Sequence, residues 1–256
     1  PLLIIMDMMG IPRSEFATVL DSTNKILGAG DPEFFDGLEG PEMFGEVIGA
    51  GMTLVQLMNE VAEFKRTNPG DDLTTALINA ELEDDILTPQ ELGSFFILLA
   101  VAGNDTTRTA LSHGMHYLTQ NPDQRKIWQN DLDGVSTSAV EEIVRYAGPV
   151  VYMRRTLTQD YVLSGKELKQ GEKVAMFYGS ASRDEDVFEN PDTFDVLRNR
   201  HPHLAFGGPG PDFCHGATRD GRELDGTLRH PSGRLPAHAA PAHNDLPHNP
   251  PTACVP

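Results

Sequence analysis

One cysteine stands in a run of unusual composition. Residues 206–216 read Phe-Gly-Gly-Pro-Gly-Pro-Asp-Phe-Cys-His-Gly, so four glycines and two prolines surround Cys214. Glycines such as Gly207, Gly208 and Gly216 let backbone approach a flat ligand closely. A thiolate ligand also needs backbone N–H donors and shelter from bulk water. A glycine-rich surface loop with an incidental cysteine fits the same residues. A phosphate-binding loop fits less well, because no Lys followed by Ser or Thr stands at the required spacing.

Two other groupings could do chemistry. Ala102-Gly103-Asn104-Asp105-Thr106-Thr107 places an acid and two hydroxyls directly after an apolar run. In a buried helix these groups are costly without partners or a task. Threonine can bond back to the carbonyl four residues earlier and open the helix locally, and Gly103 eases that. A satisfied polar kink is the plain alternative. Glu142-Ile143-Val144-Arg145 sets a carboxylate and a guanidinium on one helix face, a pairing also common on solvated surfaces.

The elements that must position these residues are mainly helical up to about residue 147. Leu2–Met9 reads as a helix closed at Gly10, and Pro12 opens a second running through Leu27. A third spans Pro41 to Thr67, with Val55, Met58, Val61 and Phe64 at helical spacing. A short helix is expected over 71–79. Thr88-Pro89-Gln90-Glu91 is a capping box that starts a helix of about 30 residues, on the order of 45 Å long. Phe95–Ala102 is apolar on every side, which predicts passage through the interior. Helices at 122–130 and 139–146 follow, then short strands at 152–157, 161–163 and 173–178, and an irregular stretch over 184–213.

Bulk properties narrow the function classes. The 256 residues carry a net charge of −18, which opposes both phosphate-backbone and anionic-lipid binding. No apolar run reaches membrane-span length. Two cysteines 40 residues apart make a poor disulfide framework, so a cytoplasmic setting is the simpler expectation. Residues 217–256 are neutral, hold seven Pro and four His, and lack Phe, Tyr, Trp, Ile and Met. Such a segment buries too little apolar surface to order itself. His230, His238, His243, His248 and Cys254 fit no compact metal-ligand spacing.

Taken together and in this order, the motifs resemble the cytochrome P450 family. The resemblance covers residues 1 to about 217: Ala-Gly-x-Asp-Thr on a long helix, Glu-x-x-Arg, and a Phe-Gly-rich loop ending Cys-x-Gly. Pro191-Asp192-Thr193-Phe194-Asp195-Val196-Leu197-Arg198 is similar to the family's meander. The implied fold is mainly α with small β-sheets, a partial P450 fold around a central long helix. The implied activity is a haem-thiolate monooxygenase with haem b, O2, a ferredoxin-type electron donor and a lipophilic substrate. Within the family the chain looks most like actinobacterial enzymes acting on sterol side chains or branched lipids.

The resemblance also implies residue roles. Cys214 is the axial thiolate, which pushes electron density onto the iron. Thr106 and Asp105 deliver protons for oxygen activation. Phe206, Gly207, Gly208, Phe213 and Gly216 line the cofactor on the thiolate side, Ala102 and Gly103 on the other, and Arg155 pairs a propionate. Glu142, Arg145 and Arg198 form a structural charge network. Val101, Val150, Val151, Tyr152 and Met153 face substrate.

Three departures qualify the pattern. The chain opens in mid-element at Pro1, as a fragment lacking the family's N-terminal helices would. Asp212 stands where the family usually has a cation for a propionate, and an anion there repels it. Arg219 and Asp220 interrupt the helix expected after Cys-x-Gly, so residues 217–256 read as a foreign, disordered segment out of frame. The alternative reading is an inactive fragment that does not hold haem. An acidic helical interaction module would explain the charge and leave the Cys214 loop unexplained.

Overall fold

The computed structural model describes residues 1–29, 31, 35, 38, 40–82, 85–199, 203–208, 213, 214 and 217. Expectations for Asp212, Gly216, and everything beyond Ala217 lie outside these residues. Helices α1 (Leu2–Met9), α2 (Phe16–Leu27), α3 (Pro41–Thr67) and α4 (Leu73–Ile78) come first. A hairpin of β1 (Glu81–Leu82) and β2 (Asp85–Ile86) leads into α5 (Pro89–Gln120), then α6 (Pro122–Asn130) and α7 (Leu132–Ala147). Strands β3 (Tyr152–Thr156), β4 (Tyr161–Leu163), β5 (Lys166–Leu168) and β6 (Lys173–Phe177) follow, with α8 (Tyr178–Ala181) after them. The architecture is mainly α with small antiparallel sheets, as the sequence predicts.

Local chemistry sets the boundaries. Gly10 ends α1 at φ 67°, in the left-handed region that glycine enters without steric cost. The Asp72 carboxylate caps α4 by accepting the Thr75 N–H at 2.8 Å, and it also takes the Lys65 ammonium at 2.6 Å. At the start of α5 the Thr88 hydroxyl accepts the Glu91 N–H at 3.2 Å, while Glu91 accepts the Thr88 N–H at 2.9 Å. That reciprocal bond holds the Glu91 carboxyl below its usual range.

Helix α5 joins two apolar cores. Its first half gives Leu92, Phe96 and Ala100 to a cluster with Met6 and Met9 of α1, Val19 of α2, and Leu54 and Met58 of α3. Its second half gives Ala110 and Leu118 to a cluster with Trp128 of α6, Ala139 and Ile143 of α7, and Phe194, Val196 and Ala205. Two glycines permit the close crossings. A Cβ on Gly93 would stand 3.1 Å from the Val55 Cα, and one on Gly114 would stand 3.0 Å from the Ile143 Cγ2. Glycine costs about 1 kcal/mol relative to alanine in a helix, and here that cost is offset by packing.

Several expectations are corrected. Pro12 precedes one 3₁₀ turn at Arg13–Glu15, and the α-helix begins only at Phe16. Helix α7 starts at Leu132 rather than near 139, because the Asp131 carboxylate caps it by accepting the Gly134 N–H at 2.9 Å. The span Phe95–Ala102 is not enclosed: Leu98 is 66% exposed and Phe95 37%. Burial there follows the packed face alone. The β1–β2 hairpin, β5 and α8 had no expectation, being too short to show a period.

Candidate functional site

The polar stretch of α5 lies between the two cores, and its groups bond mostly to their own helix. The Thr106 hydroxyl donates to the Ala102 carbonyl at 2.6 Å and the Thr107 hydroxyl to the Gly103 carbonyl at 3.1 Å. The helix runs unbroken through this segment, so these bonds share carbonyls without opening it. Asp105 pairs with Arg108. Gly103 is used in packing: a Cβ there would stand 2.9 Å from the Ile5 Cδ1 of α1. Ala102 is exposed and Val101 and Thr106 are half-buried, which leaves that side of the helix open. Asn104 is buried, and its side-chain nitrogen has no hydrogen-bond partner among the described residues.

The second assembly is saturated. Arg145 grips Glu142 with two parallel bonds, Nε to Oε2 at 2.7 Å and Nη2 to Oε1 at 2.8 Å. Its Nη1 donates to the carbonyls of Ser182 at 2.7 Å and Pro191 at 2.9 Å. Arg198 closes on Glu142 from the other side, with Nε 3.1 Å from Oε2. Arg198 also donates to the carbonyls of Glu189, Asn190 and Thr193. The Asp195 N–H adds a further bond to Glu142 Oε1 at 2.9 Å. The Glu142 side chain is 1% exposed and that of Arg145 2%. Removing one member of such a set strands a buried charge, at about 3–5 kcal/mol. Tyr146 and Phe194 close one end together with Tyr117, whose hydroxyl is pushed up by burial.

Cys214 lies in a short loop tied to the same helix. Its N–H donates to the Phe206 carbonyl at 2.9 Å, and its carbonyl accepts the Ala217 N–H at 3.2 Å. The Phe206 and Phe213 rings meet edge to face at 6.3 Å. Gly207 holds φ 90°, a backbone conformation that disfavours other residues. The imidazole of His203 bridges loop and helix: Nε2 lies 2.9 Å from the Glu141 Oε2, and Nδ1 accepts the Ala205 N–H at 3.3 Å. The tandem carboxylates Glu141 and Glu142 therefore serve different segments. Sequence reasoning selected Glu142 and passed over Glu141 and His203; the repeated Glu and the His three residues before Phe206 were the available signals.

Strands β3 and β6 pair antiparallel with Tyr152 opposite Phe177 and Arg155 opposite Val174. Val151, Tyr152 and Met153 are exposed and Val150 half-buried. Arg155 is also exposed, and its Nη1 reaches the Arg154 carbonyl at 3.3 Å.

The donor set can be tested against a thiolate-held iron porphyrin. Such a group needs a sulfur outside any disulfide, a loop that tolerates close approach, and apolar walls. Cys214 is a free, half-buried cysteine. A Cβ on Gly208 would meet nothing within 4 Å. Open apolar surface is present at Ala102, Leu98, Val151 and Met153. These residues fit the group. Among the described residues no three or more His, Cys, Asp or Glu side chains cluster as a metal site. Among the same residues no helix is long and apolar enough to cross a membrane.

Comparison with known proteins agrees with this geometry. The family model described as Cytochrome P450 matches residues 6–217. A methyl-branched lipid omega-hydroxylase of Mycobacterium tuberculosis is 49% identical over 224 residues, covering 88% of this chain and 51% of the relative. A steroid C26-monooxygenase of Rhodococcus jostii is 39% identical over 225 residues, covering 88% and 45%. The structure of a Mycobacterium marinum cytochrome P450 in complex with pseudoionone superposes with a TM-score of 0.87 at 39% identity, covering 92% of this chain and 56% of that one. The chain spans about half the length of the curated relatives it matches.

Proposed function

The chain belongs to the cytochrome P450 family, and on that premise we propose that residues 1–216 form the catalytic region of a haem-thiolate monooxygenase. It inserts one oxygen of O2 into a C–H bond of a lipophilic substrate, a sterol or a branched lipid. The observation that carries this reading is the free Cys214 thiol, half-buried in a glycine loop whose backbone is closed by the bond to Phe206. Residues 217–256 form a separate Pro- and His-rich segment outside that region.

Cys214 would hold the iron of haem b, and Phe206, Gly207, Gly208, Phe213, Gly216, Ala102 and Gly103 would form the walls of its pocket. When bound, the haem supplies the redox chemistry that activates dioxygen. Everything else is the work of side chains. Thr106 exchanges its bond to the Ala102 carbonyl for one to water, and the Asp105 carboxylate, paired with Arg108, stands behind it as the acceptor of the proton relay. Arg155 offers a cation to a propionate. Val101 and Val150–Met153 exclude water from the substrate. The Glu142–Arg145–Arg198 set fixes the segment on which the thiol loop rests.

Two comparisons support the substrate class. The branched-lipid enzyme is the more similar relative, at 49% identity against 39% for the steroid enzyme. The apolar residues offered for contact agree with either. Electrons come from a ferredoxin-type donor in the cytoplasm. The test is a haemin titration followed by a binding-spectrum screen of methyl-branched fatty acids and sterols. The expected result is a stable Soret band that shifts with the branched lipids first. Absence of any Soret band from the chain sinks the proposal.

A further inference from the structure

Ala205 packs the Cys214 loop against α7, and among the described residues one imidazole adds the side-chain hydrogen bond between them; the geometry points to His203 and Glu141 as the positioning pair that holds the thiol in register. This rests on the reading of Cys214 as an iron ligand and adds the device that aims it. The path is continuous. The Glu141 carboxylate meets His203 Nε2 at 2.9 Å, and His203 Nδ1 accepts the Ala205 N–H at 3.3 Å. The next residue, Phe206, accepts the Cys214 N–H at 2.9 Å and lies with its ring 5.7 Å from the imidazole.

The bonds fix the imidazole's protonation pattern. Because Nδ1 accepts from a backbone N–H, the ring hydrogen is on Nε2 and is donated to Glu141. The side chain of His203 is 6% exposed and that of Glu141 40%. The imidazole is therefore sheltered, whereas its carboxylate partner keeps contact with solvent. Glu141 thus anchors the loop without the stranded-charge risk that Glu142 carries next to it. Adjacent carboxylates on α7 hold two different segments: Glu142 the stretch 189–198, and Glu141 the loop residues His203, Phe206 and Cys214.

A tie of this kind controls where the sulfur points, so its loss appears at Cys214 before it appears in the whole fold. The decisive experiment alkylates the haem-free chain with a maleimide in a Cys254→Ser background, comparing wild type, Glu141→Gln, His203→Phe and His203→Asn. His203→Phe keeps ring packing on Phe206 and removes both nitrogens. His203→Asn keeps an acceptor for the Ala205 N–H and drops the reach to Glu141. Glu141→Gln weakens the bond at a solvent-facing residue and leaves the global melting curve unchanged. Cys214 should react about fivefold faster in His203→Phe, the effect of losing roughly one charge-assisted hydrogen bond with part solvent screening. Glu141→Gln and His203→Asn should fall between that value and wild type.

Haem-loaded samples supply the spectroscopic arm. There the three variants should convert from thiolate-type to thiol-type ferrous–CO spectra faster than wild type, in the same order. Unchanged alkylation in Glu141→Gln and His203→Asn, both folded, overturns the proposal, as does faster alkylation matched by an equal loss of global stability. A wild-type chain that takes up no haem counts against the proposed function alone, because the alkylation order still decides the tie.

Discussion

The charge network on α7 and the polar centre of α5 are built from similar residue types and end in opposite states. Around Glu142, both arginines reach backbone carbonyls as well as the carboxylate, and three stretches of chain, α7, the turn at Ser182 and residues 189–198, meet around one buried anion. Along Ala102–Thr107 the hydroxyls return to their own helix, one amide nitrogen has no partner among the described residues, and one side is open. Saturated polar groups have nothing left to offer a ligand, so the first region is architecture. Groups whose bonds lie within one helix can exchange them at little cost to the fold, and beside open apolar surface they suit the proposed ligand chemistry. The difference supports the proposed roles, which residue type alone does not distinguish.

Substitutions can break that contrast, and the largest effect is expected in the network. Arg145→Met leaves Glu142 buried beside a single guanidinium and strands the carbonyls of Ser182 and Pro191, so urea unfolding should show a loss of about 3–5 kcal/mol. A loss below 1 kcal/mol would remove the distinction between the two regions.

Asp72 shows the same saturation on a smaller scale. Burial raises its carboxyl, but the bonds from Lys65 and Thr75 outweigh this and hold it below the usual range. A depressed folded value means that its stabilisation is fully present above the unfolded carboxyl's range and is lost as pH falls through the folded value. Asp72→Asn should cost about 1–2 kcal/mol at pH 7, with the gap from wild type closing in acid. Denaturant midpoints measured from pH 7 down to pH 3 check this.

In α5 the sign reverses. Asn104→Leu replaces a buried amide whose nitrogen has no partner among the described residues with an apolar group of similar size, and should raise stability by about 1 kcal/mol in urea unfolding. Destabilisation would mean that the amide has a partner in solution. The smallest effect belongs to the open face: Leu98→Gln should stay within about 0.5 kcal/mol of wild type in the same assay, because that side chain is already 66% exposed.

Much of the frame is legible in the sequence because its signals are local. The capping box at Thr88 and the Asn-Pro at 121–122 bound α5, and Asn68 with Pro69 stops α3. What is not legible depends on partners distant in sequence. The residues Phe95–Ala102 are apolar all round, yet only one side meets other helices. The start of α7 depends on one capping carboxylate ahead of a Gly- and Ser-containing turn that has weak helix propensity. Glu142 and Arg145 show as an ordinary i, i+3 pair, and only tertiary structure buries them. His203 has no periodic neighbour at all, so its attachment to Glu141, 62 positions away, appears only in three dimensions. Resemblance supplies Arg198 and Cys214 as members of a set, which spacing alone does not.

The central claim is that the sulfur of Cys214 binds iron. Its most direct test is the ferrous–CO difference spectrum of the haem-loaded chain beside that of Cys214→Ser. The account predicts the long-wavelength band of thiolate-ligated haem in the first and its loss in the second, with Arg155 and the α7 network intact in both. The same band in both proteins, or its absence from the haem-loaded wild-type chain, would contradict it.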